Sequence, residues 1–235
     1  MSVLNDVAKI RAVDPDNMYN RIFDLPEQIT DALRIARAWK IDKADFSDIK
    51  NIVVIGMGGS AIGGDLVRSF LASKMLVPFQ VCRHYQMPEY VDDETLVIAS
   101  SYSGNTEETL SALNDALERK AMIAAISTGG LLKEVAELNE IPLATIPSGL
   151  QPRAALGYSF VPLLVFLEKI GLTENVTAEI ETMVEELSGH REQYIEDNPV
   201  EQNPAKALAD TIHGRIVIIY SGPTITDAVG LRWKG

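Results

Sequence analysis

Five short apolar runs, at residues 51–55, 79–82, 96–100, 122–127 and 142–146, set the strongest constraint on how this chain can fold. Each is bounded by Gly, Pro, Ser or Asn, and each has the length of a strand rather than of a buried helix. Helical patterns fill most of the gaps, at 61–71, 106–117 and 131–138, and Leu110, Leu113 and Leu117 fall on one stripe of the second. Near-continuous apolar strands alternating with helices predict an α/β fold, a doubly wound parallel five-stranded sheet flanked by helices. Such sheets take their ligands at the carboxyl ends of the strands.

The flanks are predicted to be helical. Asp14-Pro15 and Asp24-Leu25-Pro26-Glu27 read as helix starts, the second leading into Ile29, Leu33, Ile35, Ala36 and Trp39. Beyond Pro147, residues 153–171 read as an apolar helix and 177–196 as an acidic one that ends near Asn198-Pro199. A second unit then opens with a helix at 203–211, a strand at 215–220 and the start of a helix from Thr224. The expected division is 1–45 as amino-terminal helices, 46–172 as the sheet domain, 173–199 as a connecting helix and 200–235 as the beginning of a second domain. Residues 52–60 and 216–224 echo each other faintly, each an apolar run entering a turn with Gly and hydroxyls, which points to duplication. One strand and part of a helix bury too little surface to stand alone. The expectation is that this unit leans on the first domain, on another subunit or on chain beyond Gly235, the last being favoured.

Charge narrows the function. Lys and Arg total 21 against 33 Asp and Glu, a net −12 that opposes binding to nucleic acid or an anionic membrane surface. An anionic small ligand must then be held by local devices: backbone amides, hydroxyls, helix N-termini and a placed cation. No window approaches the roughly 18 consecutive apolar residues of a membrane span, and Met1 to Arg11 lacks a secretory signal, so a cytoplasmic location is expected. Cys82 is the only cysteine, which excludes an internal disulfide, and His84, His190 and His213 lack metal-ligand spacing. Neither zinc nor a thiol nucleophile is expected.

Two loops carry the chemistry. The first, Gly56-Met57-Gly58-Gly59-Ser60-Ala61-Ile62-Gly63-Gly64-Asp65, follows the run 51–55 and opens a helical pattern. Glycines let the backbone approach a ligand and present N–H groups to it. Gly56, Gly58 and Ala61 also fit the dinucleotide pattern G-x-G-x-x-A. That pattern calls for an acidic residue at the end of the next strand, where this chain has Val81-Cys82-Arg83-His84. NAD is therefore disfavoured; Arg83 keeps a 2′-phosphate as the rival, and Gly63 and Gly64 admit a plain packing role. In the second loop an apolar run ends in Ser101, and Tyr102-Ser103-Gly104-Asn105-Thr106 leads into a helix. Three hydroxyls, of Ser101, Ser103 and Thr106, thus gather at free helix N–H groups and the positive end of the helix dipole, as a monophosphate requires. Helix capping explains one hydroxyl only. Glu107 and Glu108 read as dipole partners in the first turn rather than as bases.

Gly58-Gly59-Ser60 and Ser101-Tyr102-Ser103-Gly104-Asn105-Thr106 resemble the sugar-phosphate loops of sugar isomerase (SIS) domains. Pro152-Arg153-Ala154-Ala155-Leu156 and Gly230-Leu231-Arg232-Trp233-Lys234 resemble segments of the bifunctional phosphoglucose/phosphomannose isomerase family, and the similarity runs from about Ile52 to Gly235. The resemblance implies two SIS domains per chain and a homodimer, so that residues 200–235 begin an incomplete second SIS domain. It implies an aldose–ketose isomerase without a cofactor, interconverting glucose 6-phosphate and/or mannose 6-phosphate with fructose 6-phosphate by proton transfer through an enediolate. Gly58, Gly59, Ser60, Ser101, Ser103 and Thr106 would then hold the phosphate, and Arg153 would meet the developing oxyanion. The family's catalytic glutamate follows the Arg-Trp-Lys segment, and its histidine and lysine come later still, so the expectation is that these three lie past Gly235. His213 precedes 215–220, does not match the family's histidine and reads as structural; Arg232 and Lys234 receive no catalytic role. Two alternatives stay open, a noncatalytic SIS module that senses a sugar phosphate and another SIS phosphosugar isomerase. For an isomerase of the aminotransferase type, the missing N-terminal cysteine is unfavourable.

Overall fold

The five apolar runs are strands, and all of them pair in parallel. They are β1 (Asn51–Ile55), β2 (Phe79–Cys82), β3 (Thr95–Ser101), β4 (Met122–Ser127) and β5 (Leu143–Thr145), in the spatial order β2-β1-β3-β4-β5. The computed structural model describes residues 2–224 and 226–234; Met1, Ile225 and Gly235, which the readings of the amino terminus and the last helix include, lie outside the described residues.

The helices are α1 (Val7–Ala12), α2 (Met18–Phe23), α3 (Leu25–Ala38), α4 (Gly58–Leu71), α5 (Glu107–Glu118), α6 (Gly130–Leu138), α7 (Leu156–Ile170), α8 (Val176–Arg191), α9 (Pro204–Ile212) and α10 (Asp227–Lys234). Asp14 accepts from the N–H groups of Met18 and Tyr19 at 2.7 and 2.8 Å, so the Asp-Pro pair starts α2 one turn downstream.

Side-chain alternation splits the sheet between two cores. Ile52, Val54, Leu96 and Ile98 face α3, α4 and α7, whereas Val53, Ile55, Val97 and Ala99 face Ala112, Leu113 and Ala116 of α5 and Leu132 of α6. β3, central in the order, is buried at all seven positions, which is why Leu96, Val97, Ile98 and Ala99 follow one another without polar alternation. α3 contributes Ile29, Ala32, Leu33 and Ala36 to the first core, and Phe166 of α7 takes Trp39 stacked on it and Phe46 edge-on, each with ring centroids 5.1 Å away.

The chain order reverses direction across the sheet between β1 and β3, so the loops leaving these two neighbours diverge to opposite faces and leave a crevice at their carboxyl ends. Both loops singled out from the sequence start there.

Residues 215–220 do not form the expected strand. They run without ladder partners, and Ile216, Ile218 and Tyr220 are 94%, 68% and 89% exposed. A strand exists only where a neighbour satisfies its backbone groups, and no strand lies beside this one among the described residues. α10, by contrast, docks on α4: Arg68 pairs with Asp227 at 2.5 Å, Ser69 donates to the Thr224 carbonyl at 2.7 Å and Ala228 is buried.

Candidate functional site

Ser101 ends β3, is 2% exposed, and lies 3.0 Å hydroxyl to hydroxyl from Thr106. It also accepts from the Gly104 N–H at 3.1 Å. Thr106 occupies the N-cap of α5 in extended backbone, yet its side chain makes no capping bond. The Thr106 hydroxyl is turned to Ser101 instead, so the capping explanation of Thr106 does not hold. Ser103 stands exposed at the tip, accepting from the Asn105 N–H at 3.2 Å. Gly104 makes the turn possible. Its φ is +71°, and a Cβ there would lie 1.8 Å from the carbonyl oxygen of Gly129, in the loop before α6.

The loop after β1 meets this cluster through Ser60. That side chain is 7% exposed and accepts from the Tyr102 N–H at 3.1 Å, joining the first turn of α4 to the end of β3. Gly58 begins α4 at φ +50°, and Met57 at the N-cap offers no side-chain bond. A Cβ on Gly59 would come 2.6 Å from the Pro152 carbonyl oxygen, so glycine is what lets the 152–154 turn lie against α4. Gly63 and Gly64 serve packing: the first abuts Ser159 of α7, and the second Val54 and Val81 of the sheet.

A third segment closes the site. The Tyr102 hydroxyl donates to the Pro147 carbonyl at 3.0 Å and accepts from the Leu150 N–H at 2.9 Å. Buried Gln28 of α3 donates to the Ala154 carbonyl and accepts from the Gly157 N–H, both at 2.7 Å. These bonds hold the backbone on either side of Arg153, whose exposed side chain lines a cavity of about 530 Å³ with Gly58, Gly59, Arg83 and Arg232. Ser101, Ser103 and Thr106 are not on that wall; Ser60 and Gly59, adjacent in α4, connect cluster and cavity.

Arg83 is paired with Asp65, a carboxylate 5% exposed that also lies 3.9 Å from Arg68. A 2′-phosphate would have to displace that partner, so the dinucleotide reading loses its remaining residue. Arg232 donates to the carbonyl of Arg153, and burial together with the Arg153 charge holds its pKa below the ordinary arginine value.

Sequence reasoning missed Gln28, Tyr102, Asp65 and Arg232. Gln28 was detectable as a polar residue on the buried face of α3, next to Ile29 and one turn from Ala32. The others reveal themselves only through long-range contacts. Among the described residues, no group of three His, Cys, Asp or Glu is placed to hold a metal ion, and no helix is long and apolar enough to cross a membrane.

Residues 45–148 match the family model of the SIS domain. The bifunctional phosphoglucose/phosphomannose isomerase of Caldicellulosiruptor bescii is 51% identical over 93% of this chain and 64% of its own length. The enzyme of the same description from Thermoplasma acidophilum is 37% identical over 78% of this chain and 53% of its own. This chain therefore spans between half and two thirds of the length of these relatives. Among solved structures, the C-terminal domain of glucosamine-fructose-6-phosphate aminotransferase from Francisella tularensis superposes with a TM-score of 0.67 at 17% identity, covering 92% of this chain and 65% of that one. At that identity the likeness is one of fold.

Proposed function

The chain belongs to the SIS-domain family and is a homologue of the bifunctional phosphoglucose/phosphomannose isomerases, and from that premise we propose that it isomerises sugar phosphates, converting glucose 6-phosphate and/or mannose 6-phosphate to fructose 6-phosphate and back. The observation that carries this reading is the meeting of the Ser101 and Thr106 hydroxyls with the uncapped start of α5, tied through Tyr102 to Ser60 at the start of α4.

A phosphate dianion bound there accepts from the hydroxyls of Ser60, Ser101, Ser103 and Thr106 and from helix-terminal amides, with Gly58 and Gly59 adding unobstructed backbone at the junction with the cavity. Holding the phosphate fixes C1 and C2 of the open-chain sugar relative to the cavity. Proton transfer between these carbons passes through an enediolate, and Arg153 supplies positive charge to the oxygen where negative charge develops. This redistribution of a proton uses no redox cofactor. Glu107 and Glu108 lie in the first turn of α5, beside its dipole, and the base for the C2 proton is not assigned to either.

Residues 200–235 are read as the start of a second SIS domain, supported by the apolar, unpaired run 216–220 and the docking of α10 on α4. A homodimer in the cytoplasm completes the proposal. An apolar groove of about 580 Å³ between α3, α4, α7 and α8, walled by Leu66, Phe70, Phe160 and Met183, supports association, and the free, buried thiol of Cys82 fits a reducing compartment.

Replacing Ser101 and Ser103 together by Ala tests the reading. Loss of two charge-assisted hydrogen bonds, each worth about 1.5–3 kcal/mol, is expected to raise KM for fructose 6-phosphate by about 100-fold or more. An unchanged KM would remove the phosphate assignment. Saturable binding of fructose 6-phosphate without turnover would instead favour the sensor reading.

A further inference from the structure

Arg232 shares the cavity wall with Arg153, and the isomerase reading so far gives it nothing to do. It arrives there from outside the sheet domain's sequence. α10 carries it, and α10 is fixed to α4 by the Arg68–Asp227 pair, by Ser69 on the Thr224 carbonyl and by buried Ala228. The guanidinium donates to the Arg153 main-chain carbonyl, which uses one of its five N–H groups.

The charge environment is unusual for so acidic a chain. Arg83, on the same wall, is neutralised by Asp65. Arg232 has no carboxylate within ion-pair distance among the described residues. Its pKa is lowered first by burial and then by the charge of Arg153. A partly buried guanidinium that also feels a neighbouring positive charge is stabilised when an anion enters beside it. The 33 acidic residues of the chain offered many ways to neutralise Arg232 internally, as happens at Arg83.

We propose that Arg232 is a second guanidinium at the sugar end of the site, fixing the main chain of Arg153 and adding its own charge where the C1–C2 oxyanion develops. The proposal rests on the sugar-phosphate reading above, in which the phosphate lies at Ser101, Ser103 and Thr106. It assigns the two ends of the substrate to two devices: hydroxyls and helix amides for the phosphate, paired guanidiniums for the reacting oxygens.

Two ligands that cannot isomerise separate these devices. A six-carbon aldonic acid 6-phosphate carries a carboxylate at C1, in the position of the developing charge, and the matching alditol 6-phosphate carries an uncharged hydroxyl there. Titration calorimetry on the 235-residue chain would compare both ligands for wild type, Arg232→Gln, Arg232→Lys and the Ser101→Ala/Ser103→Ala pair. Arg232→Gln is expected to weaken the aldonate by about tenfold or more, the scale of one charge-assisted contact, and the alditol by less than about twofold, with Arg232→Lys recovering part of the loss. Undiminished alditol binding also reports that the variant is folded. Equal losses for both ligands, or none for either, would overturn the assignment of Arg232. The underlying reading fails in a different way: the serine pair then binds both ligands as tightly as wild type, or wild type binds neither, which overturns both.

Discussion

Gly104 shows how narrowly the cradle is specified at single positions. With φ at +71° and the Gly129 carbonyl where a Cβ would be, no side chain fits, and the chain turns there between Ser103 and Thr106 with the Gly104 N–H held on the Ser101 hydroxyl. Arg153 is specified differently. Its side chain is exposed, while the backbone around it is held by Gln28, by contact of Pro152 with Gly59 and by the Arg232 bond to its carbonyl. Rigid backbone beneath an exposed cation is the arrangement expected of a group that must meet charge without reorganising. Arg153→Ala is accordingly expected to lower kcat by on the order of 100-fold while leaving the affinity for an alditol phosphate within about threefold. Steady-state kinetics with a binding titration would separate the two effects, and a comparable loss in both would make Arg153 a binding residue only.

At the level of elements, the strands were legible and the contacts between loops were not. Residues 51–55, 79–82 and 122–127 are strands with the expected bounds, and 96–100 and 142–146 differ only at their ends, because burial on both faces leaves a continuous apolar run. The same signal at 215–220 was misleading, since an apolar run records what a segment prefers to bury and not whether a neighbour is present. α10 depends on a charge. The Arg68 guanidinium, first of all through its hydrogen bond, holds the pKa of Asp227 below the usual 3.8. A depressed carboxylate stabilises the docked state above its unfolded pKa, and that contribution is lost as pH falls through the folded value. Hydrogen exchange across residues 228–234 is therefore expected to lose protection below about pH 4, and Asp227→Asn to show the same loss at neutral pH. Protection that is insensitive to both changes would mean that packing at Ala228 holds the helix without the ion pair.

For the whole molecule, the two loops follow from strand order. Reversal between β1 and β3 opens one crevice, and the Gly- and Ser-rich turns leave those two strands. The hydroxyl cluster was readable in sequence because its members lie within six residues of each other, 101 to 106. Gln28, Tyr102 and Arg232 act on residues distant in sequence, such as Ala154 at a separation of 126 positions from Gln28, and local pattern carries no trace of such pairs. The central claim is that a sugar phosphate binds with its phosphate at the start of α5 and its carbonyl end toward Arg153. A crystal structure with fructose 6-phosphate tests it most directly. The account predicts phosphate oxygens within about 3 Å of the hydroxyls of Ser101, Ser103 and Thr106; a phosphate seated instead between Arg153 and Arg232, with the hydroxyl cluster empty, would contradict it.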